Sequence, residues 1–311
     1  MKPKVLLTRR IPSSALATLE EACDVDRNDG DALTPDQLLS RVRDKQGIVC
    51  LLTDAITPDV MDAAPGLKVV ANVAVGYNNI DIAAASARGI VVTNTPEVLT
   101  EATADLAWAL IMDVTRRVSE GDRLIRRDGW KGWALDFMLG TELSGKTLGI
   151  IGYGRIGRAV AARAVPFGLR VIHSDVQAVP GSGAIPIDRL LATSDIVSIH
   201  CPLTPETRHL INQAALARMK RSAYLINTSR GPVVDEKALA WALKNGIISG
   251  AGLDVYEDEP NVHRDLMTLE NVVLAPHLGS ATMETRTAMA DLAVRNAIAV
   301  LTGQSPLTPV S

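Results

Sequence analysis

The sequence predicts an α/β protein built from two Rossmann-like or flavodoxin-like domains, each with a parallel sheet, around a central cleft. Three observations carry this. Short apolar runs of strand length alternate with helix-length segments along almost all of the 311 residues, which is the pattern of βαβ units. The short runs are continuously apolar instead of alternating, as strands covered by helices on both faces must be. And the series starts twice, at Lys4 and again at Thr147, with a long helical stretch between them.

Taken in order, residues 4–8, 47–52, 68–75 and 90–94 read as buried strands, and residues 14–23, 35–44, 58–64 and 79–88 as the helices between them. Thr34 stands as an N-cap ahead of Pro35 in a first helical turn. Gly66 and Gly89 stand where helices should stop. Residues 100–125 predict one long helix, with Leu106, Leu110, Val114 and Val118 at four-residue steps. The segment GWKGWALDFMLG at 129–140 breaks the pattern. A loop with two Trp, a Phe and a Met needs cover, and a second subunit would supply it, so a homodimer is expected. The second series has strands at 147–151, 170–174, 196–201, 223–227, 249–254 and 272–275, and a terminal helix at 282–301. Residues 176–186 contain Pro and Gly and read as a surface connection. The predicted domains are 1–98 plus 283–311, and 99–282.

Composition narrows the function. Hydrophobic residues make up 47% and charged residues 22%, with a formal net charge of −3, so there is no global electrostatic basis for binding nucleic acid or a membrane surface. Arg116-Arg117 and Arg126-Arg127 read as a solvated helix face. The first apolar run stops at Thr8-Arg9-Arg10, too early for a signal-peptide core, and no run is long enough to span a membrane; a cytoplasmic protein is expected. Cys23, Cys50 and Cys201 form no CxxC pair, so neither a disulfide framework nor a zinc site is expected, and no other metal.

The strongest local signal is GYGRIG, in which Gly152, Gly154, Arg155, Ile156 and Gly157 follow an apolar strand and open a helix. Gly152 permits a tight turn, Gly154 lets the backbone approach a pyrophosphate, and Gly157 lets the helix pack on the strand. The helix N-terminus offers N–H groups and partial positive charge to that anion. Asp175 ends the next strand, at the spacing of a carboxylate that grips adenosine ribose hydroxyls. An acid there repels a 2′-phosphate, and Val176 and Gln177 supply no Arg to hold one, so NAD is expected ahead of NADP.

Three charged positions follow apolar strands of the second series: Arg230, Glu259 and His277. Ligands of open α/β sheets bind beyond the carboxyl ends of strands, and a charge at such a place must be paired or functional. His200 invites a catalytic reading but is better placed as a strand end beside the cofactor. His173, His209 and His263 lack metal-ligand spacing and read as structural or surface residues.

The segments NTSRGPVVDEKAL (227–239), GLDVYEDEP (252–260) and APHLGSAT (275–282) resemble the signature blocks of the D-isomer-specific 2-hydroxyacid dehydrogenases. With ANVAVGYNNID (71–81) and TPEVLTEATADLAWAL (95–110) the resemblance covers nearly the whole chain, and it is greatest to the glyoxylate/hydroxypyruvate and 2-ketogluconate reductases of that family. The resemblance implies an NAD(P)-dependent oxidoreductase acting on CH–OH groups, whose partner is a small 2-oxo or 2-hydroxy acid. His277 would be the general acid/base, held through one ring nitrogen by Glu259. Arg230 would clamp the substrate carboxylate, with backbone N–H groups at Val75 and Gly76 on its other oxygen and Leu52 lining the side-chain pocket with Thr53 and Trp133. Cys201, Pro202 and Thr207 would lie near the adenine. Thr228 and Ser229 would lie by the nicotinamide ribose, Asp254 at the carboxamide, Gly279 near the ring and Thr103 at a hinge. The stretch from Asp175 to Asp188 is shorter than is usual in the family, so the adenosine end is expected to differ. Alternatives on this scaffold are phosphoglycerate, formate or phosphite dehydrogenases, and a non-catalytic NAD-sensing protein. The His277–Glu259 pair argues against formate oxidation, which protonates no carbonyl oxygen.

Overall fold

The computed structural model describes residues 1–175 and 183–310; the sequence readings of Val176 and Gln177, and most of the 176–186 connection, lie outside the described residues. The chain divides into two compact units, Met1–Leu99 with Thr282–Ser311, and Thr100–Ala281.

The first unit contains β1 (Lys4–Leu7), α1 (Ser13–Ala22), β2 (Asp24–Arg27), α2 (Pro35–Arg41), β3 (Gly47–Cys50), α3 (Pro58–Asp62), β4 (Val69–Asn72), α4 (Ile82–Ala87) and β5 (Val91–Thr93). Its sheet runs β2-β1-β3-β4-β5, and every pair is parallel. This is the flavodoxin-like order. Every residue of β3 and β4 is buried, which is why these segments are continuously apolar. Thr34 and Gln37 form a full capping box at α2, with Pro35 in the first turn. The terminal helix Met283–Leu301 packs on α1, β3 and β4 of this unit. Strand β2, sequence DVDR, is absent from the sequence reading: it is an edge strand with no buried residue, so the apolar-run criterion passes over it.

The second unit contains α5 (Thr100–Arg116), α6 (Val118–Arg126), β6 (Thr147–Ile151), α7 (Arg155–Ala164), β7 (Arg170–Ser174), α8 (Ile187–Thr193), β8 (Ile196–Ile199), α9 (Gln213–Arg218), β9 (Tyr224–Asn227), α10 (Glu236–Lys244), β10 (Gly250–Leu253), α11 (Arg264–Met267) and β11 (Val272–Leu274). Its parallel sheet runs β11-β10-β9-β8-β6-β7. The chain steps from β6 outward to β7, then returns to β8 on the other side of β6. That reversal is the topological switch point, where an open sheet leaves a crevice at the carboxyl ends of its strands.

The single long helix expected at 100–125 is two helices. Arg117 adopts a left-handed conformation, φ 59°. Asp113 accepts hydrogen bonds from the Ser119 N–H and hydroxyl, and the Thr115 carbonyl takes the Thr141 N–H at 2.8 Å. Tertiary partners thus replace the helical bonds at the break, which an apolar periodicity running through it does not register.

Candidate functional site

The glycine loop leaves β6 at the switch point. Gly152 has φ +89°, and a Cβ there would lie 2.5 Å from the Cys201 backbone nitrogen at the end of β8. Only glycine fits both the conformation and the space. A Cβ on Gly157 would lie 2.2 Å from the Gly152 carbonyl, so this glycine seats α7 on β6. Gly154 is different: a Cβ there would meet nothing within 4 Å. The protein's own packing does not require a glycine at 154. Asp175 accepts the Tyr153 N–H at 2.8 Å, tying its carboxylate to the same loop, and Tyr153 stacks on His173 at 3.9 Å between ring centroids.

Beyond β8 and β9 two polar atoms, His200 Nδ1 and Thr228 Oγ1, are buried without a hydrogen-bond partner among the described residues. Such atoms call for a partner that the protein does not supply. Together with the open face of Gly154, these donors and acceptors at the carboxyl ends of β6, β8 and β9 suit a dinucleotide. Burial pushes His200 down to about 3 and the Cys201 thiol up to about 11, so neither exchanges protons near neutrality. The Thr207 hydroxyl donates to the Pro202 carbonyl at 2.7 Å and shapes its own loop. Ser229 donates to Asn227 Oδ1 through both N–H and hydroxyl, at 3.0 and 2.9 Å.

Arg230, Glu259 and His277 lie on loops following β9, β10 and β11 of the same unit. His277 Nδ1 and Glu259 Oε2 are 2.8 Å apart. An ionised carboxylate only accepts, so Nδ1 carries the proton in that bond and Nε2 is left for proton exchange. Both side chains are 28% exposed, reachable by a ligand yet partly shielded. Burial alone would raise the Glu259 carboxyl, but the His277 hydrogen bond and charge, the Tyr256 N–H and the Arg230 charge together hold it below the usual range. Burial lowers the Arg230 guanidinium, and the Glu259 charge opposes that. The three groups therefore share one electrostatic environment.

Their loops are held by close contacts. A Cβ on Gly231 would lie 1.8 Å from the Tyr256 carbonyl carbon, so only glycine lets the Arg230 loop press against the Glu259 loop. His277 has φ 54°, an uncommon conformation for a residue with a side chain. Asp254 sustains it, its Oδ1 accepting the Leu278 N–H at 2.6 Å and its Oδ2 the Gly279 N–H at 2.8 Å. Thr103 donates to the Gly279 carbonyl at 3.1 Å. Burial raises the Asp254 carboxyl despite these donors.

Leu52, Val75 and Gly76 belong to the first unit. The Val75 carbonyl accepts from Asn94 at 2.8 Å and the Gly76 carbonyl from Asn72 at 2.9 Å, while neither residue's N–H has an acceptor among the described residues. The loop is pinned by its carbonyls with its donors free. The sequence reading missed Asn72 and Asn94; the available signal was an amide at the end of an apolar strand.

The family model for the D-isomer specific 2-hydroxyacid dehydrogenase, NAD binding domain, matches residues 108–279. A glyoxylate reductase of Thermofilum pendens is 50% identical, over 98% of this chain and 93% of its own. Among solved structures, a protein of Thermus thermophilus superposes with a TM-score of 0.94 at 47% identity, over 99% of this chain and 100% of that one. An NADPH-dependent glyoxylate/hydroxypyruvate reductase of Sinorhizobium meliloti, in complex with NADP and malonate, does so with 0.88 at 37% identity, over 100% of this chain and 97% of that one.

Proposed function

This chain belongs to the D-isomer specific 2-hydroxyacid dehydrogenase family, and from that premise we propose that it reduces glyoxylate or hydroxypyruvate to the D-2-hydroxy acid with NADH. It is an NAD-binding oxidoreductase of the CH–OH class, and the choice among small 2-oxo acids follows its relatives. The observation that carries the mechanism is the 2.8 Å contact between His277 and Glu259, with Arg230 within their field.

When bound, NADH supplies the hydride to the carbonyl carbon. Gly152, Gly154, Arg155, Ile156 and Gly157 would cradle its pyrophosphate at the α7 N-terminus, and Asp175 would take the ribose hydroxyls. Cys201, Pro202 and Thr207 would line the adenine end. Thr228, Ser229, Asp254 and Gly279 would line the nicotinamide end. Arg230 binds the substrate carboxylate with its planar fork of donors. His277 Nε2 donates a proton to the carbonyl oxygen as the carbon gains its hydride, and recovers it in the reverse reaction. Glu259 holds the ring in the required tautomer. Of the first unit, which we assign to substrate, Leu52 and the free N–H groups of Val75 and Gly76 offer contacts suited to a small carboxylate; the second unit is assigned to NAD.

NAD is preferred over NADP because a 2′-phosphate beside the Asp175 carboxylate would meet like charge. The enzyme is proposed to be a homodimer: Trp130, Trp133 and Leu135 are 54%, 79% and 83% exposed in this chain, a patch that water does not favour. Three buried free cysteines suit the reducing cytoplasm. Among the described residues no helix is long and apolar enough to cross a membrane.

Purified protein should consume NADH with glyoxylate and hydroxypyruvate, and His277→Ala should cut turnover by about 10²–10⁴-fold. A His277→Ala enzyme at wild-type rate would refute the mechanism, and wild-type protein that binds NADH without turnover would favour the NAD-sensing alternative.

A further inference from the structure

The loop carrying Glu259 is held by a second pair of acids that the proposed chemistry does not use. Glu236 is the first residue of α10, where an acid ordinarily serves its own helix. Here that task falls to Asp235, whose side chain accepts the Ala238 N–H. Glu236 is 6% exposed, and its carboxylate turns to another loop: Oε1 accepts the Glu257 N–H and Oε2 the His263 N–H. Glu257 returns the contact, its Oε1 accepting the Glu236 N–H at 2.9 Å while its Oε2 lies 2.8 Å from His209 Nε2. The clamp closes on both sides of Glu259, at 257 and at 263. It joins that segment to the chain just after Arg230, where Gly231 already abuts Tyr256.

We infer that Glu236 is a positioning residue: its carboxylate, reciprocated by Glu257, locks the 257–263 loop so that Glu259 meets His277. This rests on the acid/base assignment to that pair. A carboxylate is needed because two N–H donors must be accepted at once. Glutamine has one acceptor oxygen and would turn its NH₂ toward the second donor. A buried acid retained only for helix stability would have no reason to face two N–H groups of a different loop. With the clamp loosened, Glu259 samples positions out of reach of Nδ1. His277 then loses its hydrogen-bond partner at Nδ1, and with it the fixed direction of its ring.

The test compares Glu236→Gln with Glu259→Gln as reference, measuring kcat and KM for NADH-dependent reduction of glyoxylate. For Glu236→Gln we expect kcat to fall about tenfold, the weight of one charge-assisted hydrogen bond, with KM for NADH within about twofold of wild type. Glu259→Gln should lower kcat at least as far, and in both variants KM for glyoxylate should also stay within about twofold, so that the loss falls on turnover and not on binding. Glu257→Gln, which loosens the clamp from its other side, should lower kcat in the same way and serves if Glu236→Gln folds poorly. A Glu259→Gln enzyme at wild-type kcat would sink the acid/base assignment and this inference with it. If Glu259→Gln lowers kcat while the clamp variants keep wild-type kcat, whatever their melting temperature, Glu236 is a structural acid only and the inference is overturned.

Discussion

At the scale of single residues, the candidate site sets groups of opposite charge beside one another. Glu259 lies below its ordinary value because His277, the Tyr256 N–H and Arg230 together outweigh its burial. A carboxyl depressed in the folded state stabilises the protein above its unfolded pKa, and that contribution is lost as pH falls through the folded value. The advantage of wild type over Glu259→Gln in thermal unfolding should therefore fade as pH falls below the ordinary glutamate value of 4.5; an advantage that grows with acidification would contradict the assigned direction. Arg230 offers a second test. Arg230→Lys keeps the charge and loses the fork, so KM for the 2-oxo acid should rise about 10- to 100-fold, the equivalent of ~1.5–3 kcal/mol for a charged hydrogen bond. KM for NADH should stay near wild type; an unchanged KM for the acid would remove Arg230 from substrate binding.

At the scale of elements, the strand–turn–helix from β6 to α7 separates two reasons for a glycine. Gly152 and Gly157 are demanded by the protein's own backbone, at 2.5 and 2.2 Å from a would-be Cβ, whereas Gly154 faces open space. Gly152→Ala should lower stability by about 2 kcal/mol or more, since a rigid backbone neighbour and a left-handed φ both oppose it. Gly154→Ala should melt at the wild-type temperature yet bind NADH about tenfold or more weakly, as expected where a methyl group overfills a contact. Differential scanning fluorimetry with NADH titration distinguishes these. A Gly154→Ala protein with wild-type NADH affinity would show that no ligand approaches that glycine.

At the scale of the whole molecule, the exposed stretch around Trp130, Trp133 and Leu135 is the feature a single chain does not account for. Helix α6 beside it in sequence has no buried residue, and its Val118 and Ile125 are 60% and 63% exposed. Light scattering should give twice the chain mass for wild type, and Trp133→Glu with Leu135→Glu should shift the protein toward monomer, because charge at an apolar contact is costly to bury. A monomeric wild type would end the dimer proposal and leave the patch to another partner.

What the sequence determined by itself is whatever local chemistry dictates. Buried parallel strands must be continuously apolar, so β3, β4, β6, β8 and β9 were legible. A dinucleotide turn needs glycines at fixed offsets, so the loop at 152–157 was legible too, and Arg230, Glu259 and His277 stood out as charges placed after apolar strands. Strand β2 was not legible, because its pairing with β1 is a backbone matter that its polar side chains do not announce. The break at Arg117 was equally hidden, depending on Asp113 and on a bond from Thr141. Only the tertiary structure decided that Asp254 props the His277 turn, that Gly231 presses on Tyr256, and that Glu236 faces Glu257. The reason is physical: periodicity reports which side of an element meets the core, while a hydrogen bond between residues far apart in the chain exists only once the packed elements bring donor and acceptor within about 3 Å.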